Sequence, residues 1–444
     1  MDALIVIFIA GLIGLFVGML KNPVLSLSIS VIGLISAFVL VLFNKSYDSP
    51  FSKFEGLNFS PAANVFALLV IGLTLLIVLG GFNYFKRDSN HTADYYGLML
   101  FSLCGALILI GFTNFFMFFL GLEILSIPVY VLVGIKKQNT LSSEASIKYF
   151  FTGSFATGIL LFGIALIYGA TGSFDLNTIS TITEATPMFH IGVLFVLAAF
   201  LFKVGAVPFH FWSPDVYQGS TDAVMSYMAT VVKVAALYAF VSLFGSVLSA
   251  SGAIYSTILE VVIIASFFLG YLSALKQSNL KRLMAYSGIS NTGFALLSIF
   301  SGDFGALWVF LLGYTASTVA LMTVSQAIEK IDSEDVVNWK GIGYKNPLIG
   351  VVVLISFLSL AGIPPLTGFF GKFLILSGTY QNHLTLVILS LISSVIGAFL
   401  YLRFIMSVFS KEHDAEKITV KPLHLLVILL SVLVTLFGWV VLLF

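Results

Sequence analysis

Long apolar runs separated by short polar stretches repeat from one end of the chain to the other. A helix needs about 20 predominantly apolar residues to cross the hydrocarbon of a bilayer. That criterion predicts spans near 2–20, 24–43, 62–82, 94–111, 115–135, 146–169, 189–212, 222–248, 254–275, 281–300, 304–328, 347–380, 385–409 and 423–443. The predicted fold class is therefore an all-α polytopic membrane protein with about fourteen transmembrane helices. The first run, "MDALIVIFIAGLIGLFVGML", lacks the basic start and the cleavage site of a signal peptide and reads as a retained first span. The longest polar stretches, about 44–61 and 329–346, read as loops or short surface helices rather than soluble domains.

The polar positions give an independent check on the number of spans. Of the 21 Lys and Arg residues, fourteen fall in the loops after odd-numbered spans or at their edges: Lys21, Lys86, Arg87, Lys136, Lys137, Lys276, Lys281, Arg282, Lys330, Lys340, Lys345, Lys411, Lys417 and Lys421. Only Lys45 and Lys53 follow an even-numbered span. By the positive-inside rule the odd loops are expected to be cytoplasmic and both termini to lie on the outer side. A miscount of one span would scramble this asymmetry.

Composition narrows the function. Hydrophobic residues make up 59% of the 444 positions and charged residues 9%, where soluble domains carry about a quarter. Mean hydropathy is +1.08. A net charge of +1 leaves no basic excess to replace the counterions of a nucleic acid, which is therefore not an expected partner. The single cysteine, Cys104, excludes an intrachain disulfide and a cysteine-ligated cluster, and reads as a small buried apolar residue. There is no Gly-rich phosphate loop with its lysine, no GxGxxG after a strand and no pair of mid-span histidines for haem. The chain is expected to hold no cofactor itself, so energy must come from an ion gradient or from partner subunits.

Against this apolar background the charges inside the spans stand out: Lys148, Lys203, Lys233, Lys372, Arg403, Glu123, Glu144 and Glu260. A charge at mid-bilayer costs about 2.5 to 3.5 kcal/mol on insertion scales, and such residues commonly mark an ion or proton path. Glu123 is eight residues into its span, Lys203 fourteen and Lys233 eleven, so all three are predicted near half depth. Their alternative reading is a static buried salt bridge. Two lysines and one glutamate do not neutralise one another, however, and buried ions are a poor route to stability. In "SSEASIKYF", Glu144 and Lys148 form an i,i+4 pair that also reads as interfacial and snorkelling. Glu260 and Arg403 are read as interfacial.

Two spans are broken. "AFLFKVGAVPFHFWSPDVYQGS" carries Pro208 beside His210, and "LAGIPPLTGFFGKF" carries Pro364 and Pro365 among Gly362, Gly368 and Gly371. Irregular backbone at membrane depth is tolerated only where it is buried in protein or lines a wet cavity. Transporters place broken helices at equivalent positions of two repeats. The broken spans are five apart, an odd number, which predicts two inverted five-helix repeats, helices 4–8 and 9–13. The expected organisation is 1–90 for helices 1–3, 91–250 and 251–410 for the two repeats, and 411–444 for helix 14.

These residue types suit proton transfer. Burial disfavours the charged form of a lysine and a nearby carboxylate restores it. A pair about 4 Å apart at an effective dielectric near 20 interacts by roughly 4 kcal/mol, about a thousandfold in proton affinity. Movement of Glu123 relative to Lys203 is thus expected to make a switchable proton site, with Lys233 and then Lys372 as further stations. His210 reads either as a bridging proton carrier or as a cap on the carbonyls exposed at the break.

The segments "FKVGAVPFHFWSPDVYQGS", "KVAALYAF", "SSEASIKYF", "NLKRLMAYSGISNTGF" and "GIPPLTGFFGKF" also resemble, in order and spacing over about residues 60 to 410, the antiporter-like membrane subunits of respiratory complex I. The resemblance is strongest to the N type of the bacterial NADH-quinone oxidoreductase. It implies a fourteen-helix fold with two inverted repeats and a hydrophilic axis along mid-membrane. It carries the proton path onto Glu123, Glu144, Lys148, Lys203, Lys233 and Lys372. Lysine at 372 is similar to the N or L type and unlike M, and a chain stopping at Phe444 without a long lateral helix leaves N. The resemblance further implies a place in the cell's inner (plasma) membrane. Expected partners are other membrane and peripheral subunits, neighbouring antiporter-like subunits among them, which would hold the quinone, flavin and iron–sulfur clusters. A multisubunit cation/proton antiporter and a membrane-bound hydrogenase are alternative assemblies. One departure is "GSTDAV", residues 219–224, where relatives commonly have a proline after the small residue; Asp222 there has no assigned role.

Overall fold

The computed structural model describes residues 2–43, 56–86, 91–181, 186–247, 253–328, 334–411 and 417–443. Lys45, Lys53, Arg87 and Lys330 lie outside them. The regular elements among the described residues are helices: α1 (Asp2–Gly18), α2 (Pro23–Leu42), α3 (Pro61–Phe85), α4 (Thr92–Gly111), α5 (Phe115–Val133), α6 (Thr140–Thr171), α7 (Leu176–Ser180), α8 (Pro187–Val204), α9 (Trp212–Gly219), α10 (Asp222–Tyr227), α11 (Lys233–Val247), α12 (Ala253–Ala274), α13 (Leu280–Ser301), α14 (Phe304–Ala327), α15 (Ile342–Lys345), α16 (Pro347–Ala361), α17 (Thr367–Thr379), α18 (Leu384–Val408) and α19 (Pro422–Phe437). Twelve helical stretches are at least 18 residues long and apolar enough to cross a membrane. Adding the shorter α1 and α16, every predicted span has its helix. Their starts are encoded locally. Asn22, Ser60, Asn114, Asn139, Thr186, Asn279 and Asp303 each accept a hydrogen bond from a free backbone N–H of the first turn.

The seventh and twelfth spans are broken as expected. The seventh is α8, a stretch of turn and then α9; the twelfth is α16, a short turn and then α17. Each first half ends on a glycine in the left-handed region, Gly205 at φ 70° and Gly362 at φ 84°, where a side chain would be strained. The eighth span contains a π-helical turn, Met228–Val232, between α10 and α11.

The chain forms two compact units. The first comprises Met1–Val78, Phe82–Gly205 and Val231–Leu259. In it α4 packs along α1 and α5, and α6 along α8. Its loops sort by parity. The Asn58 N–H donates to Gly111 O, the Phe115 N–H to Phe174 O and the Leu176 N–H to Thr113 O, so the connections after spans two, four and six share one end of the unit.

The second unit comprises Leu79–Gly81, Ala206–Thr230 and Glu260–Phe444. Its centre is α14, which packs against α16, α17, α19 and α10. Here too parity holds. Arg282 Nη1 meets Asp215 Oδ1 at 2.6 Å and Lys281 Nζ meets Glu334 Oε1 at 2.8 Å, gathering the connections after spans seven, nine and eleven. Arg403, predicted toward that same end of its span, donates from Nη1 to Leu275 O at 3.3 Å. His383 Nδ1 lies 2.9 Å from Glu260 Oε1, joining the first part of α12 to the connection after span twelve.

Candidate functional site

In the first unit the candidate residues lie on α5, α6, α8 and α11, with Lys203 at the last turn of α8. Lys203, 8% exposed, is carried by that turn, where the free carbonyls of a helix C-terminus favour a cation. Its Nζ donates to Ser126 Oγ at 3.0 Å and to Tyr130 OH at 3.1 Å, both on α5. Ser126 is turned for this task, because its own hydroxyl proton is spent on Leu122 O at 2.6 Å, leaving lone pairs toward the ammonium. Pro128 lies inside α5 between the two partners and removes one N–H from the helix ladder.

Glu123 is on the same helix, three residues before Ser126. Its Oε1 accepts from Thr157 Oγ1 of α6 at 2.7 Å. Among the described residues Glu123 and Lys203 make no ion pair. The predicted meeting of carboxylate and ammonium is replaced here by two hydroxyl partners for the lysine and one for the glutamate, with Ser126 standing between them in sequence. Those hydroxyls escape sequence reading because serine, threonine and tyrosine are common in apolar helices.

Glu144 and Lys148 do pair, at 2.6 Å across one turn of α6, with side chains 58% and 43% exposed within the chain. This pair is exposed within the chain, whereas Lys203 is buried. Lys233, 6% exposed, is the first residue of α11, directly after the π-helical turn.

In the second unit Lys372 of α17 is 6% exposed. Its Nζ donates to Leu360 O at 2.8 Å and Ala361 O at 3.3 Å, carbonyls of the last turn of α16 that the break leaves without helical partners. It also lies 4.6 Å from the centroid of the Phe294 ring. The two lysines thus serve their breaks differently. Lys203 sits two residues before its glycine cap, whereas Lys372 reaches back from the helix that follows. His210 lies in the turn after the first break with Nδ1 buried and unbonded.

Sequence reading missed Lys281. Counted among the loop cations, it is 3% exposed and bonds Asp222 Oδ1 at 3.0 Å, Glu334 Oε1 at 2.8 Å and Ser220 O at 2.8 Å. Asp222, the residue without an assigned role, also accepts from Ser325 Oγ at 2.8 Å. The available signal was weak: a carboxylate at a helix start where relatives differ. Among the described residues no cluster of three or more His, Cys, Asp or Glu is placed to hold a metal ion.

Residues 112–397 match the family described as NADH:quinone oxidoreductase/Mrp antiporter, TM. NADH-quinone oxidoreductase subunit N of Cytophaga hutchinsonii is 39% identical over 421 residues, covering 93% of this chain and 91% of that protein. The protein of the same name from Flavobacterium psychrophilum is 38% identical over 428 residues, covering 93% and 92%. A chain of respiratory complex I from Thermus thermophilus superposes with a TM-score of 0.83 at 29% identity, covering 99% of this chain and 98% of that one. A chain of the archaeal membrane-bound sulfane sulfur reductase shares the fold, with a TM-score of 0.86 at 24% identity over 99% and 95%.

Proposed function

The chain belongs to the NADH:quinone oxidoreductase/Mrp antiporter transmembrane family, and from that premise we propose that it is the N-type proton-translocating membrane subunit of a quinone-reducing respiratory complex I. It acts as one subunit of an oxidoreductase whose quinone, flavin and iron–sulfur chemistry belongs to partner subunits. A chain with one cysteine cannot itself ligate an iron–sulfur cluster. It lies in the inner (plasma) membrane with the odd, lysine-rich loops inside and both termini outside.

The observation that carries this reading is the burial of Lys203 between Ser126 and Tyr130, one turn from Glu123. A buried ammonium held by neutral hydroxyls, with a carboxylate on the same helix, can exchange a proton when either side chain moves. Glu144 with Lys148 would feed the site from the surface of α6, Lys233 would receive from it, and Lys372 would be the station of the second repeat. His210 would bridge at the first break. Two inverted repeats, helices 4–8 and 9–13, organise these stations; the matching Gly205 and Gly362 caps support the correspondence.

The test is proton pumping coupled to quinone reduction by the purified complex in vesicles. Lys203→Ala and Glu123→Ala should each lower it strongly with the complex assembled. Normal pumping by both rules the path out. A purified complex lacking flavin and iron–sulfur subunits would instead identify a cation/proton antiporter assembly.

A further inference from the structure

The Lys281 cluster lies outside the path described so far. An ammonium has three protons to donate, and Lys281 spends all three, on Ser220 O, Asp222 Oδ1 and Glu334 Oε1. One cation therefore faces two carboxylates. The neighbouring cation does not restore the balance, because Arg282 is engaged with Asp215 at 2.6 Å and with Gln218 Oε1 at 3.0 Å. The nearby Asp335 adds no positive charge; its Oδ1 accepts from the Val337 N–H. A structural lock would need one carboxylate; among the described residues the second leaves a partly buried site one negative charge in excess, which binding of one proton neutralises. The cluster is graded in depth. Glu334 is 36% exposed, Asp222 14% and Lys281 3%.

The inner member of the cluster opens onto a buried row of hydroxyls. Asp222 Oδ2 accepts from Ser325 Oγ on α14. Seven and eleven residues back along that helix come Thr318 and Tyr314, spacings that return to the same helical face. All three are buried, at 2%, 0% and 5% exposure. One turn further is Phe310, whose ring lies 6.3 Å from Phe294, the ring beneath Lys372. α14 also packs directly along α17, which carries that lysine.

We propose that Asp222 and Glu334, held by Lys281, collect protons at the odd-loop end of the second unit, and that Asp222 delivers them along the hydroxyl face of α14 toward Lys372. The proposal rests on the proton-translocating reading above. It gives Lys372 a supply of its own, separate from the Glu123 and Lys203 site.

The experiment measures protons pumped per electron by the assembled complex in vesicles for Asp222→Asn, Asp222→Glu and Ser325→Ala, beside Lys203→Ala and Glu123→Ala. Asp222→Asn should lower the ratio at least twofold, Asp222→Glu should recover most of it, and Ser325→Ala should lower it while leaving every partner of Lys281 in place. Wild-type ratios in Asp222→Asn and Ser325→Ala, with loss in the Lys203 and Glu123 variants, would overturn the collecting role and leave the functional reading standing. Wild-type ratios in all five would sink both. If Asp222→Asn and Asp222→Glu lower thermal stability alike without changing the ratio, the cluster is a lock and the proposal fails. Should Asp222→Asn not assemble, Ser325→Ala decides alone.

Discussion

Tyr130 OH accepts a hydrogen bond from Lys203 Nζ at 3.1 Å, and the room for that hydroxyl comes from Gly153 on the facing helix, where an added methyl would collide with it. A hydrogen bond to a charged group is worth about 1.5 to 3 kcal/mol. Tyr130→Phe should therefore slow proton pumping about tenfold or more with the complex intact. Gly153→Ala should reproduce the defect by displacing the ring, and pumping assays on both variants check the pairing.

Glu123 is oriented by Thr157 Oγ1 at 2.7 Å. Thr157→Val keeps the shape and removes the donor. Pumping should fall by a smaller factor than in Glu123→Ala, and Thr157→Ser should restore it. An equal rate in Thr157→Val and the parent would show that the hydroxyl does not position the carboxylate.

Gly205 and Gly362 both hold positive φ, a conformation that costs an ordinary residue about 1 to 2 kcal/mol. Gly205→Ala and Gly362→Ala should each lower the thermal midpoint of the complex. At 362 the new methyl would also stand 3.0 Å from Lys372 Cδ, so this variant should lose pumping beyond its loss of stability. Thermal unfolding and pumping measured on the same preparations separate the two effects.

The Glu144–Lys148 pair spans one turn with more than a third of each side chain exposed within the chain. Exposed i,i+4 pairs contribute about 0.3 to 0.5 kcal/mol. Glu144→Ala should leave the thermal midpoint nearly unchanged, so any fall in pumping reports proton delivery rather than folding. A large fall in stability would instead mean that another subunit buries this face.

Much of this architecture is legible in the chain because lipid imposes a single length scale. Runs of about twenty apolar residues mark the spans, and Pro208, Pro364 and Pro365 mark the breaks. The parity of the loops is legible too, and Arg282 with Asp215 bears it out in three dimensions. The partners of the buried charges are not. Lys203 and Tyr130 are 73 residues apart, and Lys281 and Ser220 are 61. Lys281 also hides beside Arg282, so in one dimension it looks like one more loop cation. Only the packing of α13 with α9 turns it inward.

The cradle of Lys372 is made of main-chain carbonyl oxygens, from Leu360 and Ala361. Unlike carboxylates, such oxygens neither gain nor lose hydrogen ions across the physiological range. The seat under this lysine is therefore chemically constant through a turnover, and no substitution of the Leu360 or Ala361 side chain removes it. In the proposed relay, what varies at that place is only whether the lysine carries its own cargo, which makes it a socket fixed by the chain's breakage rather than by its side chains.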